Sequence, residues 1–239
     1  MQRGYFDMND LCVIPARGGS KRIPRKNIRE FCGKPVIAYS IIAALESGLF
    51  DEVMVSTDDT EIAAVAQSYG ASVPFMRSEK ASDDYSTTAD VMFEVLDSYE
   101  KKGIRIQRLC CLYPTAPFVT ADELQRAMKL FDQGASSVIP VCSYDFPPLR
   151  GFRIDEEGSL VYAFPEYATC RSQDLPELMH DCGRFYIAWV NKYIESGSFL
   201  TDNTMPLRIS AEAVQDIDTL EDWAVAEQKY EALSRRGSL

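Results

Sequence analysis

Two hydrophobic periods alternate along the first 142 residues. Short apolar runs at 11–14, 52–56, 72–76, 108–113 and 137–141 read as buried strands. Between them lie stretches with helical spacing, such as Val91, Phe93, Val95, Leu96 and Tyr99 within 86–102. Boundary residues agree with this reading. Pro35 opens an apolar helix that Gly48 closes, and Thr57-Asp58-Asp59 caps a helix closed by Gly70. Thr120-Ala121-Asp122-Glu123 is a capping box for a helix to about Asp132. Such alternation predicts right-handed βαβ crossovers and a mainly parallel sheet with helices on both faces, a three-layer Rossmann-like α/β fold. Ligands of such sheets sit beyond the carboxyl ends of the strands, where the turns after 14, 56 and 113 all open.

The rhythm breaks after Cys142. The segment 143–182 holds Pro147-Pro148, a hairpin turn at Asp155-Glu156-Glu157-Gly158 and many polar and aromatic residues. It is predicted to be an inserted arm or β-ribbon. Core strands resume at 184–190, 206–210 and 213–217, and a helix from Thr219 to about Ser234 closes the chain. The expected organisation is a loose tail over 1–10, one domain over 11–234 and a frayed end over 235–239.

Composition narrows the function. The net charge of -11 argues against a nucleic acid as the main partner. No apolar run is long enough for a membrane span, and the first ten residues lack a signal-peptide core, so a cytoplasmic location is expected. The seven irregularly spaced cysteines suit reduced thiols. With one histidine, His180, neither a histidine-rich zinc site nor a Ser/His/Asp triad with a histidine to spare is available.

Against that acidic background, the loop after the first strand carries Arg17, Lys21, Arg22, Arg25, Lys26, Arg29 and Lys34 around Gly18-Gly19, with Glu30 the one acid. Glycine lets backbone N–H groups approach phosphate oxygens while the cations neutralise them, so a triphosphate is the expected partner. Neither the Walker A nor the G-x-G-x-x-G spacing is present. Asp216-Ile217-Asp218 puts two carboxylates on one side of an extended segment. They suit Mg²⁺ shared with phosphate oxygens, while Asp218 also fits a helix cap. Arg77 with Ser82, Ser86, Thr87 and Thr88, and Arg171 with Tyr186, supply further cations and hydroxyls.

The blocks Pro15-Ala16-Arg17-Gly18-Gly19-Ser20-Lys21, Pro24-Arg25-Lys26-Asn27, Val55-Ser56-Thr57-Asp58-Asp59, Ala81-Ser82-Asp83, Pro114-Thr115-Ala116-Pro117 and Gly183-Arg184-Phe185-Tyr186 run in one order along nearly the whole chain. With Asp216-Ile217-Asp218, they resemble the acylneuraminate cytidylyltransferases, the CMP-sialic acid synthetases. The resemblance implies the nucleotide-diphospho-sugar transferase type of fold. It also implies CMP transfer from CTP to a nonulosonic acid, as used in surface glycan or flagellin glycosylation. Ala16, Arg17, Gly18, Gly19, Ser20, Lys21, Lys26, Asn27, Arg77 and Thr87 would meet the nucleotide, with Arg17, Lys21 and Asp218 in catalytic roles. Tyr113, Arg171 and Tyr186 would face the sugar acid, and Asp216 and Asp218 would hold Mg²⁺. The arm would exchange between the subunits of a homodimer.

The fourth block departs from the sialic acid pattern, with Tyr113 where that pattern has Gln. Tyr113 through Phe118, together with Phe31-Cys32-Gly33-Lys34-Pro35, looks more like the pseudaminic acid cytidylyltransferases. N-acetylneuraminate, legionaminate and KDO synthetases remain alternatives, as does a nucleotide-binding protein without turnover.

Overall fold

The computed structural model describes residues 6–83 and 85–237. Its strands are β1 (Phe6–Pro15), β2 (Glu30–Phe31), β3 (Lys34–Pro35), β4 (Glu52–Ser56), β5 (Ile104–Leu112), β6 (Ser137–Ser143), β7 (Phe152–Ile154), β8 (Leu160–Tyr162), β9 (Met179–Asp181), β10 (Phe185–Trp189) and β11 (Thr204–Arg208). The α-helices are α1 (Val36–Ser47), α2 (Thr60–Ser68), α3 (Thr88–Lys101), α4 (Ala121–Lys129), α5 (Val190–Ser196) and α6 (Leu220–Arg235).

A seven-stranded sheet runs β11-β6-β10-β5-β1-β4, with β9 also on β6. The pairs β1/β4, β1/β5 and β6/β11 are parallel, as the alternating pattern predicts. β10 lies antiparallel between β5 and β6, so the strand after the arm completes the middle of the sheet. Leu11, Val13 and Met54 turn to one face, against Val91, Met92 and Val95 of α3. Cys12, Ile14 and Val55 turn to the other, against Ile37 and Ile41 of α1 and Leu124 and Ala127 of α4. A strand covered on both faces is apolar at successive positions, which is why β1 reads as a continuous run. Each such aliphatic side chain contributes about 1.5–3 kcal/mol by leaving water.

The caps at Asp59 and Thr120 fall where the sequence places them, but the last helix is capped by Thr219 and not by Asp218. Thr87, Thr120 and Thr219 each form a reciprocal capping box, with Asp90, Glu123 and Asp222. Asp59 caps α2 by accepting from the backbone N–H groups of Glu61 and Ile62. Pro35 is the residue before α1 rather than its first turn.

Four expectations are corrected. The predicted tail is partly strand: 6–10 pairs with β5, and Asp10 accepts from Arg108 Nη2 at 2.8 Å, while residues 1–5 lie outside the described residues. The strand expected at 72–76 is a single bridge from Ser72 to Met54; Pro74 has no N–H to extend a ladder. Residues 213–217 pair with no strand; Ala211–Ala213 is a 3₁₀ turn and an extended stretch leads into α6. The arm ends earlier than 182, because Met179–Asp181 rejoins the sheet on β6. The ribbon itself is present as β7 and β8. At the chain end, Arg235 closes α6, and 238–239 lie outside the described residues.

A third apolar cluster, at one end of the sheet, decides where the chemistry lies. Ile23, Phe31, Val36, Tyr39, Ile217, Trp223 and Ala226 are all buried there. Phe31 comes from the β2–β3 hairpin, whose turn residues Cys32 and Gly33 both have positive φ, the two-residue turn that matches strand twist. Its ring meets Trp223 and Tyr230 of α6 edge-on, with centroids 5.6 and 5.5 Å away. This cluster joins the first basic loop to the last helix.

Candidate active site

A cavity of about 1120 Å³ opens at the carboxyl edge of β1 and β5. Its wall includes Arg17, Arg22 and Lys26 of the basic loop, Tyr113 through Ala116, and Asp216 and Asp218. Ile217 is buried in the third cluster beside Ile23, while the aspartates on either side of it line the cavity. The alternation of an extended segment thus presents both carboxylates to the loop. Arg22 Nη1 lies 2.7 Å from Asp218 Oδ2, and Lys26 Nζ lies 3.8 Å from Asp218 Oδ1. Burial lowers the Lys26 pKa, and Asp218 and Asp216 oppose that shift by their charge.

The basic loop is held by the turn after β4. Gly18 N–H donates to Asp58 Oδ1 at 2.9 Å. Arg25, in the left-handed region at φ 56°, forms ion pairs with Asp59 and Glu61. The Arg25 contact holds the Asp59 carboxyl below its ordinary range. A Cβ at position 18 would lie 2.8 Å from Asp59 Oδ2, so any side chain there would force the Asp59 carboxylate to shift. Position 19 has open space around it and is exposed. Ser20 N–H donates to the Gly18 carbonyl, and Ala16 N–H to the Ser56 carbonyl. Lys21 is exposed on the same loop.

Several expected ligand residues have structural partners. Asn27 is buried and its amide donates to the Arg17 carbonyl at 2.9 Å. The Arg77 guanidinium is buried against Ser56, donating from Nε to Oγ at 3.0 Å, and does not line the cavity. Thr87 Oγ1 donates to Asp90 at 2.7 Å within its capping box. Arg171 lies on the arm with 74% of its side chain exposed, pairs with Asp174 at 2.8 Å, and does not line the cavity.

Tyr186 lines a second cavity of about 410 Å³ that shares Thr88, Tyr113 and Asp181 with the first. Its ring is edge-on to Tyr113 at 5.6 Å and stacked on Phe199 at 5.5 Å. Its hydroxyl donates to Asp181 Oδ2 at 2.6 Å. Burial, reinforced by that carboxylate, pushes the phenol well above its ordinary pKa. Tyr113 is also raised by burial. Sequence reading missed Asp181, because its partner Tyr186 lies five residues away across a Gly183 with φ 59°.

The main cavity offers adjacent carboxylates and cations together with Tyr113, and the neighbouring cavity adds Tyr186. A model for cytidylyltransferases matches residues 11–144. The pseudaminic acid cytidylyltransferase of Campylobacter jejuni serotype O:2 is 41% identical over 225 residues, covering 93% of this chain and 97% of that protein. The chain belongs to the cytidylyltransferase family. It is therefore a nucleotidyltransferase. The CMP-N,N'-diacetyllegionaminic acid synthase of Legionella pneumophila is 37% identical, covering 94% of the enzyme and 97% of that relative. Among solved structures, a CMP:2-keto-3-deoxy-manno-octonic acid synthetase complexed with CTP matches with a TM-score of 0.65 at 16% identity, over 95% of the enzyme and 99% of that chain. This last likeness is one of fold.

The wall at Asp216 and Asp218 suits a magnesium ion. That ion takes one or two carboxylates and completes its shell with water and phosphate oxygens. Among the described residues no group of three or more His, Cys, Asp or Glu could form a protein-only cage, so such an ion would take the rest of its shell from water or substrate oxygens. The cysteines of the described residues are free thiols, with Cys110 and Cys111 both buried in β5. No helix of the described residues is long and apolar enough to cross a membrane.

Proposed function

We propose that the enzyme transfers CMP from CTP to the anomeric hydroxyl of a nonulosonic acid, with pseudaminic acid as the favoured acceptor, and releases pyrophosphate. The observation that carries this reading is the meeting of Arg22 and Lys26 with Asp218 in a cavity that Tyr113 also lines. One space thus offers cations and carboxylates for a triphosphate and a phenol for an acceptor. The relatives named for pseudaminic acid and N,N'-diacetyllegionaminic acid supply the acceptor class, and legionaminic acid is the second reading.

In the reaction, the anomeric oxygen attacks the α-phosphorus of CTP, and the bond from that phosphorus to the bridging oxygen of pyrophosphate breaks. Charge spreads onto phosphoryl oxygens, so positioning and electrostatic stabilisation dominate. Arg17, Lys21 and Lys26 bind the phosphates; the contacts of Asp58 with Gly18 and of Asp59 with Arg25 tie the loop to the turn after β4. Asp216 and Asp218 would hold a magnesium ion, which would supply Lewis-acid stabilisation of phosphoryl charge and lower the pKa of a neighbouring hydroxyl. Tyr113 and Tyr186 hold the acceptor, and Tyr186 is oriented by Asp181. Arg171 reaches an acceptor carboxylate across a homodimer, delivered by the partner's arm. The location is the cytoplasm, where CTP is available and the thiols stay reduced.

The decisive experiment incubates the enzyme with CTP, Mg²⁺ and a panel of nonulosonic acids, and follows pyrophosphate release and the mass of the product. A CMP adduct of pseudaminic acid is expected to form fastest. Faster turnover of legionaminic acid would transfer the assignment to that sugar, and CTP binding without turnover of any acid would refute the proposed reaction.

A further inference from the structure

We propose that Arg22 is a phosphate-binding residue that rests on Asp218 until a divalent cation takes that carboxylate. The inference rests on the metal reading of Asp216 and Asp218 given above. Both oxygens of Asp218 face cations of the basic loop, Arg22 at 2.7 Å and Lys26 at 3.8 Å. A carboxylate so surrounded cannot also accept a dication at coordination distance, about 2.0–2.1 Å for magnesium, without repelling one of them.

Arg22 is the one free to move. Its side chain is 68% exposed, against 19% for Lys26. The next residue, Ile23, is fully buried in the third cluster, so the guanidinium swings from a fixed pivot. Exposed ion pairs are weak, and exchange is easily reversible. Other cations of the loop are committed elsewhere: Arg25 to Asp59 and Glu61, and Arg29 over the Trp223 ring at 5.5 Å. Released by the metal, Arg22 remains in the cavity wall beside Arg17 and Lys26. Its planar fork suits bidentate binding of phosphate oxygens, including those of the departing pyrophosphate. Metal entry would then free a phosphate ligand, and a nucleotide arriving with its cation would meet a more cationic wall than the unliganded protein presents.

The test compares wild type, R22A and R22K, with D218N as reference, by Mn²⁺ titration followed by electron paramagnetic resonance without nucleotide. Calorimetry of CTP binding in saturating Mn²⁺ accompanies it. R22A is expected to bind Mn²⁺ up to about fivefold more tightly, because its competitor is gone. Its CTP affinity is expected to fall about tenfold or more, with R22K between it and wild type in both. Unchanged or weaker Mn²⁺ binding by R22A, or unchanged CTP affinity, would overturn the proposal. D218N separates the causes. If it binds Mn²⁺ as wild type does, the metal reading fails and the proposal with it. If D218N loses Mn²⁺ while R22A behaves as wild type, only the Arg22 exchange fails.

Discussion

The basic loop and the arm both project from the sheet carrying arginines, but the chain anchors one and leaves the other open. In the loop, Arg25 has two carboxylate partners, Gly18 N–H has Asp58, and Ile23 is buried against Ile217 and the α6 cluster. In the arm, Arg171 has one neighbouring aspartate, and the ribbon turns Phe152, Ile154 and Leu160 outward. The loop is a surface completed within one chain. Among the described residues nothing covers this apolar face of the arm, which suits the proposed homodimer.

The largest effect that would break this comparison is on turnover. Asp218→Asn is expected to lower kcat by about 10²–10³ with little change in thermal stability, the usual scale for removing one electrostatic stabiliser. Wild-type kcat at saturating Mg²⁺ would remove the far end of the chain from the site. Ile217→Ala comes next. It leaves a cavity where the two halves join and is expected to cost about 2–5 kcal/mol in denaturant unfolding. A cost no larger than that of a surface substitution would mean the cluster does not fix the segment.

Asp59→Ala removes a helix cap and the Arg25 clamp together. A loss of about 1–2 kcal/mol is expected, with a raised KM for CTP and a smaller change in kcat. The pH dependence has a definite sign. Because the Asp59 carboxyl is held below its ordinary value of 3.8 by Arg25, its contribution is present above that value and is lost as pH falls through the depressed one. The acid unfolding curve of Asp59→Asn should therefore be shallower than that of wild type; parallel curves would discard the clamp. The smallest effect belongs to the ribbon. Ile154→Ser is expected to change monomer stability by less than about 0.5 kcal/mol while shifting sedimentation toward the monomer. A variant that sediments as wild type would show that the ribbon face is not the subunit contact.

Much of this molecule was legible along the chain because its signals are local. The apolar runs of β1 and β5, and the capping box at Thr120, depend on residues within a few positions of one another. The density of cations around Gly18-Gly19, in a chain of net charge -11, pointed to phosphate before any fold was known. The motif order then pointed to a family, and the comparisons bear that out.

Other properties were set by contacts between distant segments. Asn27, Arg77 and Thr87 have the chemistry of ligand residues, and the fold gives them hydrogen bonds to Arg17, Ser56 and Asp90 that no local pattern announces. Asp59 likewise lies so close to Gly18 that a Cβ there would force it to shift. Residues 6–10 looked like a tail because alternation that short is weak evidence, until pairing with β5 supplied their hydrogen bonds. The amino-acid sequence by itself determined the α/β layering and the charge of the first loop, since periodicity and composition are properties of the chain. Only the tertiary structure decided that Asp216 and Asp218 face that loop: burial of Ile23 and Ile217 in one cluster brings together segments nearly 200 positions apart, a distance no local pattern spans.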